Sequence, residues 1–229
     1  MLILVLGKGK TGSLVAEVAR ERGHGVRALD INDNPHASAL TAPNLAGVDV
    51  VIDFTAPEAA AENMRAVLAL GGRIVVGTTG WYAKVNEMRA LALERGGGLL
   101  YGTNFSIGVQ KLFQLTAELA KLEGYKFSID ETHHVTKLDA PSGTALTLRE
   151  IILGVRPGPK ADIDVPIESH RVGDAKGEHV VRAVSDCDVL ELRHDAHSRR
   201  GFALGAVRGA EWLAGKSGVW EFREIFAEL

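Results

Sequence analysis

The chain has 229 residues, enough for one large or two small domains, and its 46% hydrophobic and 24% charged residues are the balance of an ordinary globular protein. A net charge of -3 argues against the basic face that nucleic-acid binding calls for. No apolar run approaches the roughly 18 residues that span a bilayer, and the lone Cys187 excludes a disulfide within the chain.

Met1-Leu2-Ile3-Leu4-Val5-Leu6 is apolar, but no basic residue precedes it, it is too short for a signal-peptide core, and it runs into glycines. It reads as a buried strand, and a cytoplasmic protein with no membrane partner is expected. Gly7-Lys8-Gly9-Lys10-Thr11-Gly12 follows at once, then a helix pattern ended by Gly23, then a strand, Gly25 to Asp30, that ends in an acid. Strand, Gly-x-Gly-x-x-Gly, helix, strand and acid is the arrangement that binds a dinucleotide. The glycines make the tight turn and admit the pyrophosphate to the helix start, and the acid accepts hydrogen bonds from the adenosine ribose. Lys8 and Lys10 either screen the phosphates or are exposed loop lysines. The blander alternatives are a simple sharp turn for the glycines and a solvated strand end for Asp30.

Residues 33–43 are polar and turn-rich and read as a loop. Asp49 to Phe54 is a strand, with Thr55-Ala56-Pro57-Glu58 capping a helix from Ala59 to Leu70. Arg73 to Gly80 is a strand running into a glycine-rich loop, Tyr82 to Arg95 a helix, and Leu99 to Ser106 a strand end. Strands thus alternate with helices over the first 106 residues, the pattern of a parallel doubly wound α/β sheet. Ligands of such sheets sit beyond the carboxyl ends of the strands, so Gly7–Gly12, Thr55–Glu58, Gly77–Gly80 and Gly102–Ser106 should share one rim. Thr78, Thr79, Thr103 and Asn104 there could meet a ribose or nicotinamide, or make only local turn bonds.

Ile107 to Glu123 reads as a helix. Phe127 to His133 alternates as a half-buried strand, and the loop after it carries His134, Lys137 and Asp139 into a helix beginning at Gly143-Thr144. Adjacent strand residues face opposite ways, so His133 and His134 cannot share a role. Lys137 supplies a cation, and the free N–H groups at Gly143 and Thr144 make an anion site. A titratable imidazole, a cation and an anion-binding helix start suit a small acidic substrate that needs a proton. After a loop with Pro157 and Pro159 come three strand-like runs, Asp164 to Val172, Glu178 to Ser185 and Asp188 to Asp195, expected as an antiparallel sheet. Arg199 or Arg200 is a candidate carboxylate clamp or a solvated surface arginine. Phe202 to Ala214 is an amphipathic helix.

The first loop, Asp53-Phe54-Thr55, Gly77-Thr78-Thr79-Gly80, Asn104-Phe105-Ser106 and Glu131-Thr132-His133-His134 with Lys137 and Asp139-Ala140-Pro141-Ser142-Gly143-Thr144-Ala145 occur in this order, and with them nearly the whole chain resembles the dihydrodipicolinate reductase family of lysine and diaminopimelate synthesis. The resemblance implies a Rossmann domain, residues 1–106 and 205–229, and a second α/β domain, 107–204, whose open mixed sheet builds a homotetramer. It implies hydride transfer from NADH or NADPH to a cyclic dicarboxylate, 4-hydroxy-tetrahydrodipicolinate, with loss of water. His133 is then the acid–base residue and Lys137 the second proton donor. His134, Gly143 and Thr144 bind substrate, and Gly7, Gly12, Asp30, Gly77, Thr79, Gly102 and Phe105 belong to the cofactor site.

The first loop departs from the family's usual Gly-Arg-Met-Gly ending, and Ile31 stands where an arginine often holds the 2′-phosphate of NADPH, so NADH is the expected cofactor with NADPH as second choice. No metal is required, because the dinucleotide carries the hydride. Three rival readings stay in view: a metalloenzyme using His133, His134 and Asp139 with His194 and His197, a non-catalytic dinucleotide sensor, and a reductase of another amino dicarboxylate.

Overall fold

The computed structural model describes residues 1–156 and 164–229, and within them the chain forms two units, Met1–Ile107 with Arg199–Leu229, and Gly108–Ser198. The expected loop around Pro157 and Pro159 lies outside the described residues.

The first unit is built on a six-stranded parallel sheet ordered β10-β5-β4-β3-β1-β2. Its strands are β1 (Leu2–Leu6), β2 (Gly25–Leu29), β3 (Val50–Asp53), β4 (Arg73–Val76), β5 (Gly98–Tyr101) and β10 (Gly218–Glu221). The inner strands read as unbroken apolar runs because a parallel sheet is covered on both faces. One layer sets α1 (Lys10–Glu21) and α7 (Arg200–Leu213) on Ile3, Val5 and Ile52. The other packs α3 (Pro57–Ala69) and α4 (Val85–Arg95) on Leu4, Val51 and Ile74. A side chain fully buried in either layer contributes about 1.5–3 kcal/mol. A four-residue helix, α2 (Ala42–Leu45), and a 3₁₀ turn, Pro35–Ala37, interrupt the segment expected to be loop.

The second unit folds around a four-stranded sheet ordered β7-β6-β8-β9, made of β6 (Lys126–His133), β7 (Ile167–Arg171), β8 (Glu178–Val184) and β9 (Val189–Asp195). Helices α5 (Ile107–Leu119) and α6 (Gly143–Val155) cover one face, closing over Phe127, Ile129, Val181 and Ala183. The antiparallel expectation holds for β8 and β9, but β7 runs parallel to β6, so the sheet is mixed. A parallel neighbour needs a long crossover, and α6 lies between β6 and β7 in the chain.

Several boundaries differ from the sequence reading. Thr55 does not cap α3, whose N-cap is Ala56, because the Thr55 hydroxyl donates to Asp53 instead. Residues Tyr82–Lys84 form a 3₁₀ turn before α4 begins. The helix α5 ends at Leu119, four residues early.

The eighth helix, α8 (Phe222–Ile225), follows β10 and buries Phe222 in the first unit's core.

Candidate active site

In the first unit, β1, β3, β4 and β5 are parallel, so their carboxyl ends lie on one rim, with the strand order reversing between β1 and β3. Ligands of doubly wound sheets bind at such a switch point. A cavity of about 360 Å³ opens there, lined by Gly7, Lys8, Gly9, Asp30, Phe54 and Thr55 among others. A second, of about 450 Å³, shares Gly9, Phe54 and Thr55 and adds Lys10, Thr11, Gly77, Thr78 and Thr79.

The three glycines of the first loop are separately constrained. Gly7 has φ +96°, and a Cβ there would lie 2.2 Å from the Phe54 carbonyl oxygen. A Cβ on Gly12 would lie 1.9 Å from the Gly7 carbonyl oxygen, so only glycine lets α1 start against β1. Gly9, the N-cap of α1, has open space where its Cβ would be, which leaves the helix start accessible to a pyrophosphate. The cradle therefore fits a dinucleotide.

Asp30 accepts hydrogen bonds from the backbone N–H of Asn32 (2.8 Å) and Asp33 (3.2 Å). The Lys8 ammonium sits 2.6 Å from Asp33 and 3.4 Å from Asp30. Its hydrogen bond holds the Asp33 carboxyl below the ordinary range. Lys8 is thus already partnered by two carboxylates.

Behind the rim, the fully buried Asp53 carboxylate accepts from Asn63 (2.7 Å) and from the hydroxyls of Thr55 and Thr78 (2.8 Å each). Burial raises its pKa, and those donors oppose the rise. The Asn63 carbonyl in turn accepts from Asn34 (2.9 Å), and the Trp81 indole N–H donates to the Thr78 carbonyl (2.8 Å). Phe105 is a core residue stacked on Phe222 at 4.5 Å between ring centres. Gly102, Thr103 and Asn104 line neither cavity, and the Asn104 side chain accepts from the Ser106 N–H (2.8 Å).

In the second unit the chemistry gathers on the helix-covered face of the sheet. The two-residue period of β6 puts Glu131 and His133 on that face. Register places Arg171 of β7 beside His133, and His179 of β8 opposite Glu131. His133 Nδ1 and the Glu131 carboxylate form a hydrogen bond. Arg171 donates to the other Glu131 oxygen at 2.9 Å, and the Ser142 N–H approaches that same oxygen at 3.3 Å.

Burial pushes the Glu131 carboxyl up, but Arg171 and His133 pull it further down, and it rests below its ordinary value. An ionised carboxylate only accepts, so Nδ1 must carry the proton and Nε2 is the atom left for chemistry. Nε2 looks toward Gly177, where a Cβ would stand 3.1 Å away. Burial lowers the His133 pKa, partly offset by Glu131. His179 lies edge-on to His133 at 5.1 Å, bonds to Ser142 Oγ at 3.2 Å, and is driven by burial to about 3, so it stays neutral near pH 7.

Ser142 caps α6, its Oγ accepting from the Ala145 N–H at 3.2 Å, and nothing lies within 4 Å of where a Gly143 Cβ would be. The start of α6 is thus open at Gly143, while Thr144 is buried. Lys137 forms an ion pair with Asp139, at 2.7 Å and 2.8 Å to its two oxygens. Arg171 also donates to the carbonyls of Lys137 (3.4 Å) and Asp139, tying this loop to the sheet.

Comparison with known proteins decides the family. The family descriptions "Dihydrodipicolinate reductase, N-terminus" and "Dihydrodipicolinate reductase, C-terminus" match residues 1–105 and 108–226. The chain belongs to the dihydrodipicolinate reductase family. A 4-hydroxy-tetrahydrodipicolinate reductase of Christiangramia forsetii is 36% identical, covering 100% of this chain and 99% of that one. One of Natronomonas pharaonis is also 36% identical, over 96% and 97% of the two chains. Among solved structures, the dipicolinate-bound dihydrodipicolinate reductase of Paenisporosarcina sp. TG-14 superposes with a TM-score of 0.79 over 98% of this chain and 99% of that one, at 23% identity.

Seen as a family member, the chain keeps His133 and Lys137 in one unit with the open helix start, and His134, half-buried, bonds to Thr136 (2.7 Å). The sequence reading gave Glu131, Arg171 and Gly177 no role of their own and took His179 for a structural histidine. Glu131 was legible, since an i, i+2 spacing in an alternating strand puts two residues on one face. Arg171, Gly177 and His179 depend on strand register. Of Arg199 and Arg200, each read as a carboxylate clamp or a surface arginine, Arg200 is partly exposed and pairs with Glu17 (2.7 Å) and Glu21 in the first unit.

The residues of the rival metal reading are not the ones that meet. Among the described residues, the donor groups that gather around His133 are Glu131 and His179, within 4.8 Å of one another. There the Glu131 carboxylate is already engaged by Arg171, Ser142 and His133. His197 is exposed in the strand-end loop.

Proposed function

We propose that this protein is an NAD(P)H-dependent 4-hydroxy-tetrahydrodipicolinate reductase of lysine and diaminopimelate synthesis, with His133 and Lys137 as its proton-handling residues. The observation that carries the reading is the buried His133, backed by Glu131, in one unit with a cation and an uncovered helix start. A dinucleotide bound on the first unit supplies the hydride. Hydride addition to a conjugated ring leaves an electron-rich carbon that must take a proton, and water is lost overall. A positioned acid typically contributes about 10²–10⁴-fold. His133 Nε2 holds that proton, and Lys137, released from Asp139 by a substrate carboxylate, is the second donor. His134 and the N–H groups of Gly143 and Thr144 receive the ring carboxylates.

The first loop, Lys8 to Thr11 included, holds the pyrophosphate, with Asp30 at the adenosine ribose. Gly77 to Thr79 and the Gly102 to Phe105 turn serve the nicotinamide end. We infer a preference for NADH. Lys8 is shared between Asp30 and Asp33, so the local charge where a 2′-phosphate would lie is negative. No helix among the described residues is long and apolar enough to cross a membrane, and a dinucleotide-dependent biosynthetic step belongs in the cytoplasm. The uncovered face of the second sheet serves a homotetramer.

The test is oxidation of NADH, and separately NADPH, with the condensation product of pyruvate and aspartate semialdehyde generated in place by its synthase. Wild-type protein should turn over with both and faster with NADH. His133→Gln and Lys137→Ala should each bind NADH normally and lose at least about 100-fold in kcat. Normal rates in both variants would remove these residues from the chemistry. Absence of wild-type turnover from protein that binds NADH would move the substrate to another amino dicarboxylate.

A further inference from the structure

Glu131 is a buried charge for which the reaction itself has no use. It is fully inaccessible, yet it joins three elements: His133 on its own strand, Arg171 on β7, and the Ser142 N–H at the start of α6. An ionised group buried this deeply is retained only when its partners compensate it. Here those partners are the proton-handling imidazole, the guanidinium that grips the Lys137–Asp139 loop, and the cap of the anion-binding helix.

We propose that Glu131 is the positioning residue of this site: its carboxylate fixes His133 as the Nδ1–H tautomer with Nε2 presented for proton transfer, and through Arg171 it holds the Lys137 loop. The inference rests on the reductase reading for its kinetic arm only.

The groups facing His133 are known from each neighbouring element. Glu131 comes from β6, Arg171 from β7 and neutral His179 from β8, while Lys137 and Asp139 come from the loop. His194 of β9 lies one strand further, opposite His179. Glu131 raises the His133 pKa, whereas Lys137 and Arg171 lower it. Removing the Glu131 charge therefore favours neutral imidazole. If His133 acts as an acid, the fall of activity with rising pH tracks its deprotonation, and that limb must move to lower pH.

Glu131→Gln keeps the shape and one acceptor oxygen but removes the charge. It should lower kcat by about 10–100-fold, the usual cost of losing a partner that orients a histidine. It should also shift the basic limb of the kcat profile to lower pH and leave NADH affinity unchanged. Glu131→Asp, which keeps the charge, should lose rate but hold the limb near its wild-type position. A role in folding alone would lower active protein without moving the limb. Wild-type kcat with an unmoved limb in Glu131→Gln, or an equal shift in Glu131→Asp, overturns the proposal.

A second measurement needs no substrate and no variant at Glu131. In wild-type protein labelled with ¹⁵N-histidine, above the His133 pKa, Nδ1 should be protonated and Nε2 bare, with the resonance assigned by its loss in His133→Gln. An Nε2–H tautomer would overturn the proposal, whatever the protein reduces.

Discussion

Lys137 and Asp139 illustrate how a side chain is kept ready without being left bare. The Asp139 carboxyl is pushed up by partial burial but drawn below its ordinary value by the Lys137 ammonium. Half-exposed as Asp139 is, such a pair contributes at most about 1 kcal/mol. A substrate carboxylate can therefore take the ammonium over at small cost. Gly177 bears on His133 in a similarly local way. With φ +136°, and a Cβ that would crowd Nε2 at 3.1 Å, it leaves uncrowded the nitrogen proposed for proton transfer. Gly177→Ala should bind NADH as wild type does and lose kcat by roughly 10-fold or more, the equivalent of about 1.4 kcal/mol. A steady-state comparison at saturating dinucleotide checks this, and an unaltered kcat would mean that Nε2 is approached from another side.

Among the elements, the loops after β3 and β4 are held by one buried carboxylate. Asp53 accepts from both Thr55 and Thr78, and its other oxygen is met by Asn63, which is fixed by Asn34. Asp53→Asn would set an amide N–H₂ against that of Asn63 or forfeit an acceptor for the threonines. It should destabilise the protein by about 1–3 kcal/mol and raise KM for NADH, with kcat at saturating dinucleotide nearly retained. Thermal melts and dinucleotide titrations measure the two effects, and wild-type values in both would show that the loops hold themselves.

The same elements show what could be read from residue order and what could not. The apolar run of β1 and the spacing of Gly7, Gly9 and Gly12 fix a strand, a turn and a helix start by local sterics, so that corner of the site was visible in the sequence. The alternation of β6 was visible too, and it carried His133 to its correct face. The direction of β7 was not, because nothing in Ile167–Arg171 distinguishes a parallel from an antiparallel neighbour. With it went Arg171 and His179, which reach Glu131 only through the register of β7 and β8. Thr55 misled for a different reason. Its hydroxyl suits an N-cap, but a buried carboxylate two residues away offered a stronger acceptor.

For the whole molecule, among the described residues the second sheet is covered by helices on one face. On the other, Val184 and Val189 stand opposite each other at 39% and 58% exposure, beside the Asp130–Arg182–Glu191 ion pairs. If this face joins subunits, Val184→Lys with Val189→Lys places two like charges side by side in the contact. Sedimentation velocity should then report species smaller than the tetramer expected of the wild type. A tetramer surviving both substitutions would show that this part of the sheet lies outside the interface.

The first unit is also discontinuous: it is begun by residues 1–107 and completed by 199–229. Helix α7 contributes Ala203, Ala206, Val207, Ala210 and Leu213 to its core, β10 closes the edge at β5, and Phe222 packs under Phe105. A ribosome therefore releases the whole dinucleotide cradle long before it releases α7, β10 and α8, which complete one layer of the core that supports it. During synthesis the nascent sheet must wait, with the place of α7 beside α1 unfilled, while some ninety residues of the other unit emerge. That interval is when this chain would most need a chaperone, and when its cradle would hold a dinucleotide least well.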